Sequence, residues 1–299
     1  MKCKSPYYNR DYGIPCPCGQ CMPCRINRRR AWVTRLMLEN MMHDKAVFIT
    51  LTYSDEHLPE NNSLSSRDLQ LFFKRLRKRI APSKIRYFAC GEYGERFKRP
   101  HYHAILFGLE NCHITWQLVH ECWNKGIIDV GSVTKDSISY VAGYVSKKIG
   151  SEDREKIKSG EISREFCRMS LKPAIGASAL DEFAKYALVQ GGFDVIQTLK
   201  IGDKVLPVPK YIRRKLRSRF FSDEYIEKLK EAGVLNARDE LKALIRKHLG
   251  LEASMDYFTD FGSERALANC LEAHNMEHIS SIRALEDIYN QKNKRRSLE

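Results

Sequence analysis

His101 and His103 flank Tyr102 at the head of an apolar run, Ala104-Ile105-Leu106-Phe107. On a β-strand successive side chains face opposite sides, so the two imidazoles would share one face. Two imidazoles fixed in this way can hold a divalent cation and leave coordination positions open to a substrate. A third ligand would come from the preceding strand, Ile85 to Glu92, where Glu92 sits at the end; Glu95, just beyond it, is the competing choice. An oxygen ligand joined to two imidazoles suits Mg2+ or Mn2+ in phosphoryl chemistry. Further along, Tyr140 and Tyr144 stand one helical turn apart, with Lys147 at the same helical spacing. A tyrosine phenol ionises near about 10, which makes phenolate a fair leaving group and a covalent tyrosine link reversible. A metal ion would polarise the scissile phosphate. A metal site plus a tyrosine pair therefore reads as a catalyst that cuts DNA and holds one end. The bland alternatives are a surface carboxylate paired with an arginine and an aromatic pair in ordinary packing.

The remaining chemistry-bearing residues lie at the start of the chain. Cys16, Cys18, Cys21 and Cys24 put four thiols in nine residues, and Cys3 is available to complete a set. That spacing admits Zn2+, although the usual pair of separated CxxC knuckles is absent. An iron–sulfur run is disfavoured because Arg28 stands where a cysteine would follow. Reduced thiols in a mobile arm are the alternative.

The elements that must position these groups can be read from periodicity. Ala46 to Tyr53 reads as a strand with Phe48, Thr50 and Thr52 on one face and Val47, Ile49, Leu51 and Tyr53 on the other. Ser65-x-x-Asp68 resembles a capping box opening a helix whose stripe is Leu69, Phe72, Phe73, Leu76 and Ile80. The segment after Glu92 reads as a hairpin into the histidine strand, which makes the two strands antiparallel neighbours. A helix near 115–124, a strand near 126–133 and a tyrosine helix near 137–149 follow. On that helix Val141, Val145 and Ile149 would pack on the sheet. Gly143 costs it about 1 kcal/mol relative to alanine and would leave room for a DNA backbone. The order β-α-β-β-α-β-α predicts an α+β fold with a central antiparallel sheet and helices packed on it. The expected division is a cysteine-rich basic arm and helix over 1–44, a core over 45–150, and a mainly helical region over 151–299.

Composition limits the class of partner. The 299 residues carry 51 Lys+Arg against 37 Asp+Glu, a net charge of +14. That balance favours a polyanion, most often nucleic acid. The cations cluster at Arg25, Arg28, Arg29, Arg30 and Arg35, again at Lys74 to Arg79, and again from Lys210 to Arg219, which favours phosphate contact over mere solvation. No apolar run reaches membrane-spanning length and no signal-peptide core opens the chain, so no membrane partner and a cytosolic setting with reduced thiols are expected. No Walker-A pattern is present, so unwinding would fall to another protein.

Three segments in order resemble the motifs of HUH endonucleases, named for histidine-hydrophobic-histidine. Phe48-Ile-Thr-Leu-Thr52-Tyr53 resembles the first. Gly91-Glu92-Tyr93-Gly94 through Pro100-His101-Tyr102-His103-Ala104 to Gly108 resembles the second. Tyr140-Val-Ala-Gly-Tyr144-Val-Ser-Lys147-Lys148 resembles the third. The likeness is greatest to replication initiators of small icosahedral single-stranded DNA phages, the gokushovirus branch of the microviruses, whose cysteine arm is similar too. It covers about residues 15–150.

The resemblance implies a ferredoxin- or RRM-like topology and rolling-circle replication in the cytoplasm of a bacterial host. One tyrosine would nick the origin and keep the 5′-phosphate, and the freed 3′-OH would prime a host DNA polymerase behind a host helicase. The second tyrosine would cut the regenerated origin. His101, His103 and, less firmly, Glu92 carry over as ligands of Mg2+ or Mn2+. Tyr140 and Tyr144 carry over as nucleophiles, with Tyr144 expected to make the first nick and Lys147 to position phosphate or water. Thr50, Thr52, Arg25, Arg28, Arg29, Arg99 and Lys148 are the expected contacts to single-stranded origin DNA. The competing readings are a relaxase or transposase with the same active site, and a non-enzymatic zinc-containing nucleic-acid-binding protein.

Overall fold

The computed structural model describes residues 3–94, 96–146, 151–189 and 197–249. They fall into two compact units, residues 29–216 and residues 3–28 with 217–249. In chain order the elements are β1 (Tyr7–Asn9), β2 (Ile14–Cys16), α1 (Met22–Met41), β3 (Ala46–Thr52), α2 (Ser66–Ile80), β4 (Arg86–Tyr93), β5 (Pro100–Phe107), α3 (His113–Trp123), β6 (Ile128–Ser132) and α4 (Lys135–Gly143). After them come α5 (Ser151–Lys158), β7 (Phe166–Met169), α6 (Leu180–Val189), β8 (Thr198–Ile201), β9 (Lys204–Pro207), α7 (Lys210–Phe220) and α8 (Asp223–Leu249).

The larger unit is built on a five-stranded antiparallel sheet in the order β6-β3-β5-β4-β7. Its first four strands and the intervening helices run β-α-β-β-α-β, and the α+β arrangement expected from the sequence is what the chain adopts. The strand alternation assigns the two faces. Val47, Ile49 and Leu51 are fully buried with Leu69, Phe72, Phe73 and Leu76 of α2, and with Tyr102, Leu106 and Trp123. On the other face Phe88, Cys90, Ile105 and Phe107 pack with Val33, Leu36 and Met37 of α1 and with Ile138, Val141 and Ala142 of α4.

Local signals explain the helix starts. The Ser65 side chain accepts from the Asp68 amide at 3.1 Å, the first half of the capping box. The second half is diverted. The Ser65 amide donates to the Tyr102 hydroxyl at 2.8 Å, and the Asp68 carboxylate accepts from Tyr53 at 2.9 Å. Thr134 and Ser137 form a complete capping box at the start of α4.

Two expectations change. The sequence points to a mainly helical region after residue 150, yet β7 joins the sheet edge beside β4 and β8-β9 form a hairpin. Short strands of this kind have too few residues to show a period of two. The helix expected over 137–149 ends at Gly143, with a 3₁₀ turn over Tyr144–Ser146.

One buried charge joins α1 to the sheet. Glu39 is fully buried and accepts from Arg86 of β4, from the Gly176 amide at 2.6 Å and from Ser178 at 2.9 Å. Burial raises its carboxyl, but the Arg86 guanidinium and these donors win, and it lies below the usual range. A folded-state value below the unfolded one adds stability that is present above the unfolded carboxyl's value, near about 4.3, and is lost as pH falls through the folded one. Glu39→Ala leaves Arg86 unpaired and should cost about 3–5 kcal/mol in urea unfolding at neutral pH. The gap from the unsubstituted protein should narrow under acid conditions; an unchanged midpoint at neutral pH would refute this role.

Candidate active site

The antiparallel register places Glu92 of β4 directly opposite His101 of β5, while His103 lies between Cys90 and Thr50. Alternation then turns the imidazoles and the carboxylate to one face and buries Tyr102 completely on the other. Tyr102 is pinned there, because its hydroxyl meets Tyr53 at 2.8 Å and donates to the Ser65 carbonyl at 2.9 Å. Gly91 is a packing requirement: a Cβ at that position would come within 3.1 Å of Leu64, Phe166 and Tyr102.

The three groups meet at one atom. Glu92 Oε1 lies 2.9 Å from His101 Nε2 and 3.0 Å from His103 Nε2. The far ring nitrogens are also engaged, His101 Nδ1 with the Arg99 carbonyl at 3.2 Å and His103 Nδ1 with Thr50 Oγ1 at 3.0 Å. A carbonyl only accepts, so His101 Nδ1 must carry the proton in that contact. Its Nε2 then faces the carboxylate either as a second N–H or as a bare lone pair with a cation between them. The same lone-pair arrangement is open to His103. Nδ1 anchored to an oxygen with Nε2 turned inward is how metal-binding histidines are oriented. The chemistry of these donors therefore fits a divalent cation.

The electrostatics agree. Glu92 is buried, which raises its carboxyl, yet hydrogen bonds from His101, His103 and Tyr144 hold it well below the usual range. Burial lowers His103 against the pull of Glu92, which favours the neutral ligand form.

The tyrosines close over this cluster. The Tyr140 hydroxyl lies 3.4 Å from Glu92 Oε1 and 3.5 Å from His103 Nε2. The Tyr144 ring lies nearly parallel to His103, with centroids 5.9 Å apart, and its hydroxyl also bonds Glu92. The two tyrosines meet edge to face at 5.1 Å. Tyr140 is 42% exposed and Tyr144 partly buried, so only the first is presented in the way the sequence suggests. Desolvation, and then the Glu92 charge, push the Tyr140 phenol up to about 12 and Tyr144 far higher.

Other expected site residues have structural tasks. Thr50 orients His103, and Thr52 donates to the Ile127 carbonyl at 2.8 Å. Arg99 pairs with Asp55 at 2.6 Å and donates to the Tyr53 carbonyl. Both donors of Arg29, Nε and Nη2, reach the Ser139 carbonyl, at 3.1 and 2.8 Å. That guanidinium also fills the space beside Gly143 that the sequence leaves for DNA; a Cβ there would lie 3.7 Å from it. Arg75 and Arg79, from the second basic cluster, bond α3 at the Cys122 carbonyl and at Glu121. In the smaller unit Arg25 reaches the Met22 sulfur and Arg28 the Gly19 carbonyl at 3.0 Å. Lys147, Lys148, Ile149 and Glu95 lie outside the described residues.

Sequence reasoning missed two features. Phe48 stacks nearly parallel to His103 at 5.6 Å; the strand alternation puts it on the correct face without giving it a task. In the cysteine arm, Cys3, Cys18, Cys21 and Cys24 converge, while Cys16 is held in β2 opposite Tyr7 and lies outside the group.

Residues 46–149, which include every strand and helix around this site except α1 and β7, match the family model described as replication-associated protein ORF2. The chain is 32% identical to the replication-associated protein ORF2 of Spiroplasma virus 4 over three quarters (75%) of both chains. It belongs to this family. It is also 33% identical to the replication-associated protein VP4 of Bdellovibrio phage phiMH2K, over 65% of each. Similarity to the replication-associated protein ORF4 of Chlamydia phage 1 is 29% and covers 48% of that protein. No solved structure matches the chain.

In this replication-associated protein, Thr50→Val should remove the Nδ1 partner of His103 and keep the side chain's shape. Mn2+ affinity, titrated calorimetrically, should fall about 10- to 100-fold with little change in the melting temperature. An unchanged affinity would remove Thr50 from the orienting shell.

Proposed function

We propose that the chain is a metal-dependent, site-specific DNA nickase and strand transferase that starts rolling-circle replication of a phage genome. The observation that carries this reading is the convergence of the Tyr140 and Tyr144 hydroxyls on the carboxylate that also joins His101 and His103. A catalytic tyrosine belongs beside the cation that activates its target phosphate, and both tyrosines meet that requirement at once.

The chain's own residues divide the work. Glu92, His101 and His103 would hold Mg2+ or Mn2+. When bound, that ion would offset the Glu92 charge that disfavours phenolate and would stabilise charge on the scissile phosphate. Thr50 and the Arg99 carbonyl fix the imidazoles. A tyrosine oxygen forms the new bond to phosphorus, the bond to the 3′-oxygen breaks, and the 5′-phosphate stays on the protein. The released 3′-OH is a primer for a host polymerase, with a host helicase opening the duplex in the bacterial cytoplasm. A second tyrosine then serves the second cut, and the phosphotyrosine is resolved by the new 3′-OH. Among the described residues no helix is long and apolar enough to cross a membrane.

The test uses end-labelled single-stranded DNA carrying the phage's origin, with Mn2+. The unsubstituted protein should become covalently labelled, and EDTA should prevent it. Tyr144→Phe should reduce first-strand nicking more than Tyr140→Phe, and the double variant should abolish attachment. Label persisting on the double variant would overturn the assignment of both tyrosines. Removing an activated nucleophile or its metal typically costs a factor of about 10³ or more, so the expected loss is about three decades or greater.

A further inference from the structure

The cysteine arm in the smaller unit carries chemistry that the nicking site does not use. The Sγ atoms of Cys3, Cys18, Cys21 and Cys24 all lie within 4.8 Å of one another, and Cys3 and Cys21 approach to 3.7 Å. A tetrahedral zinc ion with Zn–S bonds of about 2.3 Å sets its sulfurs about 3.8 Å apart. The four thiols thus occupy the space of a single ion. They lie too close together to surround a cluster of several irons.

The backbone treats these sulfurs as thiolates. The Cys18 amide donates to Cys3 Sγ at 3.3 Å and the Lys4 amide to Cys21 Sγ at 3.4 Å. Cys18 Sγ receives two more amides, from Gln20 and Cys21, both at 3.4 Å. Thiols are weak acceptors, and four amide donors aimed at three sulfurs suit the negative charge of metal-bound sulfur. Chain order adds a mechanical argument. Cys18, Cys21 and Cys24 lead into the first turn of α1, whereas Cys3 comes from the far side of the β1-β2 hairpin. The fourth ligand closes a loop of the chain, which a short arm with little apolar burial needs.

We infer that Cys3, Cys18, Cys21 and Cys24 form a structural zinc site, with Cys16 excluded. All four positions are filled by protein, so no coordination place is left for a substrate. The site fastens the start of the chain to the foot of α1, where Arg25 and Arg28 begin the basic series. It is separate from the Glu92 cluster in residues and in task.

Metal content is the direct measure. The protein carrying His101→Ala and His103→Ala, so that zinc straying to Glu92 is not counted, should purify with one zinc per chain by elemental analysis. Cys16→Ser in that background should keep the zinc, and Cys3→Ser should lose it or release it at least tenfold faster to a chromophoric chelator. Because Cys3→Ser could misfold, the parent protein exchanged with Co2+ provides a second reading. It should show the intense visible bands of tetrahedral cobalt and a sulfur-to-cobalt charge-transfer band of four-thiolate strength. Zinc-free protein, iron in place of zinc, disulfides among these cysteines, or zinc lost equally from Cys16→Ser would each overturn the inference. None of these outcomes bears on tyrosine attachment to DNA, so the two proposals fail independently.

Discussion

A carboxylate taken out of water is the constraint from which the larger unit follows. Glu92 is only 5% exposed, and an isolated charge at that depth costs several kcal/mol. The fold answers by surrounding one oxygen with donors from two further elements, His101 and His103 on β5 and the tyrosines at the end of α4. Each donor is held by something else. Thr50 fixes one imidazole, a carbonyl fixes the other, and Arg29 grips the helix that carries the tyrosines. Without a cation the arrangement is stable but chemically idle, since the charge that gathers the phenols also keeps them protonated. Compensation and inhibition come from the same group.

Geometry of this kind depends on the pairing between β4 and β5 being correct to the residue. A slip of one position would turn Glu92 to the face of Tyr102 and send the imidazoles towards α2. The core side guards against that slip. Tyr102 is wedged among Tyr53, Trp123 and Phe166, and its hydroxyl is committed to both Tyr53 and the Ser65 backbone. The diverted capping box belongs to the same scheme. Asp68, which could have closed the cap, instead anchors the Tyr53–Tyr102 pair.

The ligand side of this site is legible in the sequence because a strand has a strict period of two. His-Tyr-His followed by an apolar run, and a hairpin signal before it, are enough to set Glu92 beside His101. The tyrosine side is less legible. A regular helix would present both rings alike, but the chain tightens at Gly143 and Tyr144 turns inward over His103. Positive charge misleads in a different way. Arg29, Arg75 and Arg99 look like phosphate contacts in one dimension, and their carbonyl and carboxylate partners are far away in sequence. Nothing local could show those pairings. The strand Phe166–Met169 escapes for the related reason that four residues completing another element's edge carry no pattern of their own.

The turn between β4 and β5 has the opposite character to the strands it joins. It closes through the Gly94 amide on the Arg99 carbonyl at 3.0 Å, outside the last paired residues Tyr93 and Pro100. Residues gained or lost there would change only the size of a surface loop, since the ladder on either side stays in step. The same change inside β4 would shift Glu92 against its partners and disarm the protein. Length is thus free to drift within a few residues of a site where it cannot drift at all, and a loop of this kind is the natural place for such an enzyme to acquire new reach towards the strand it handles.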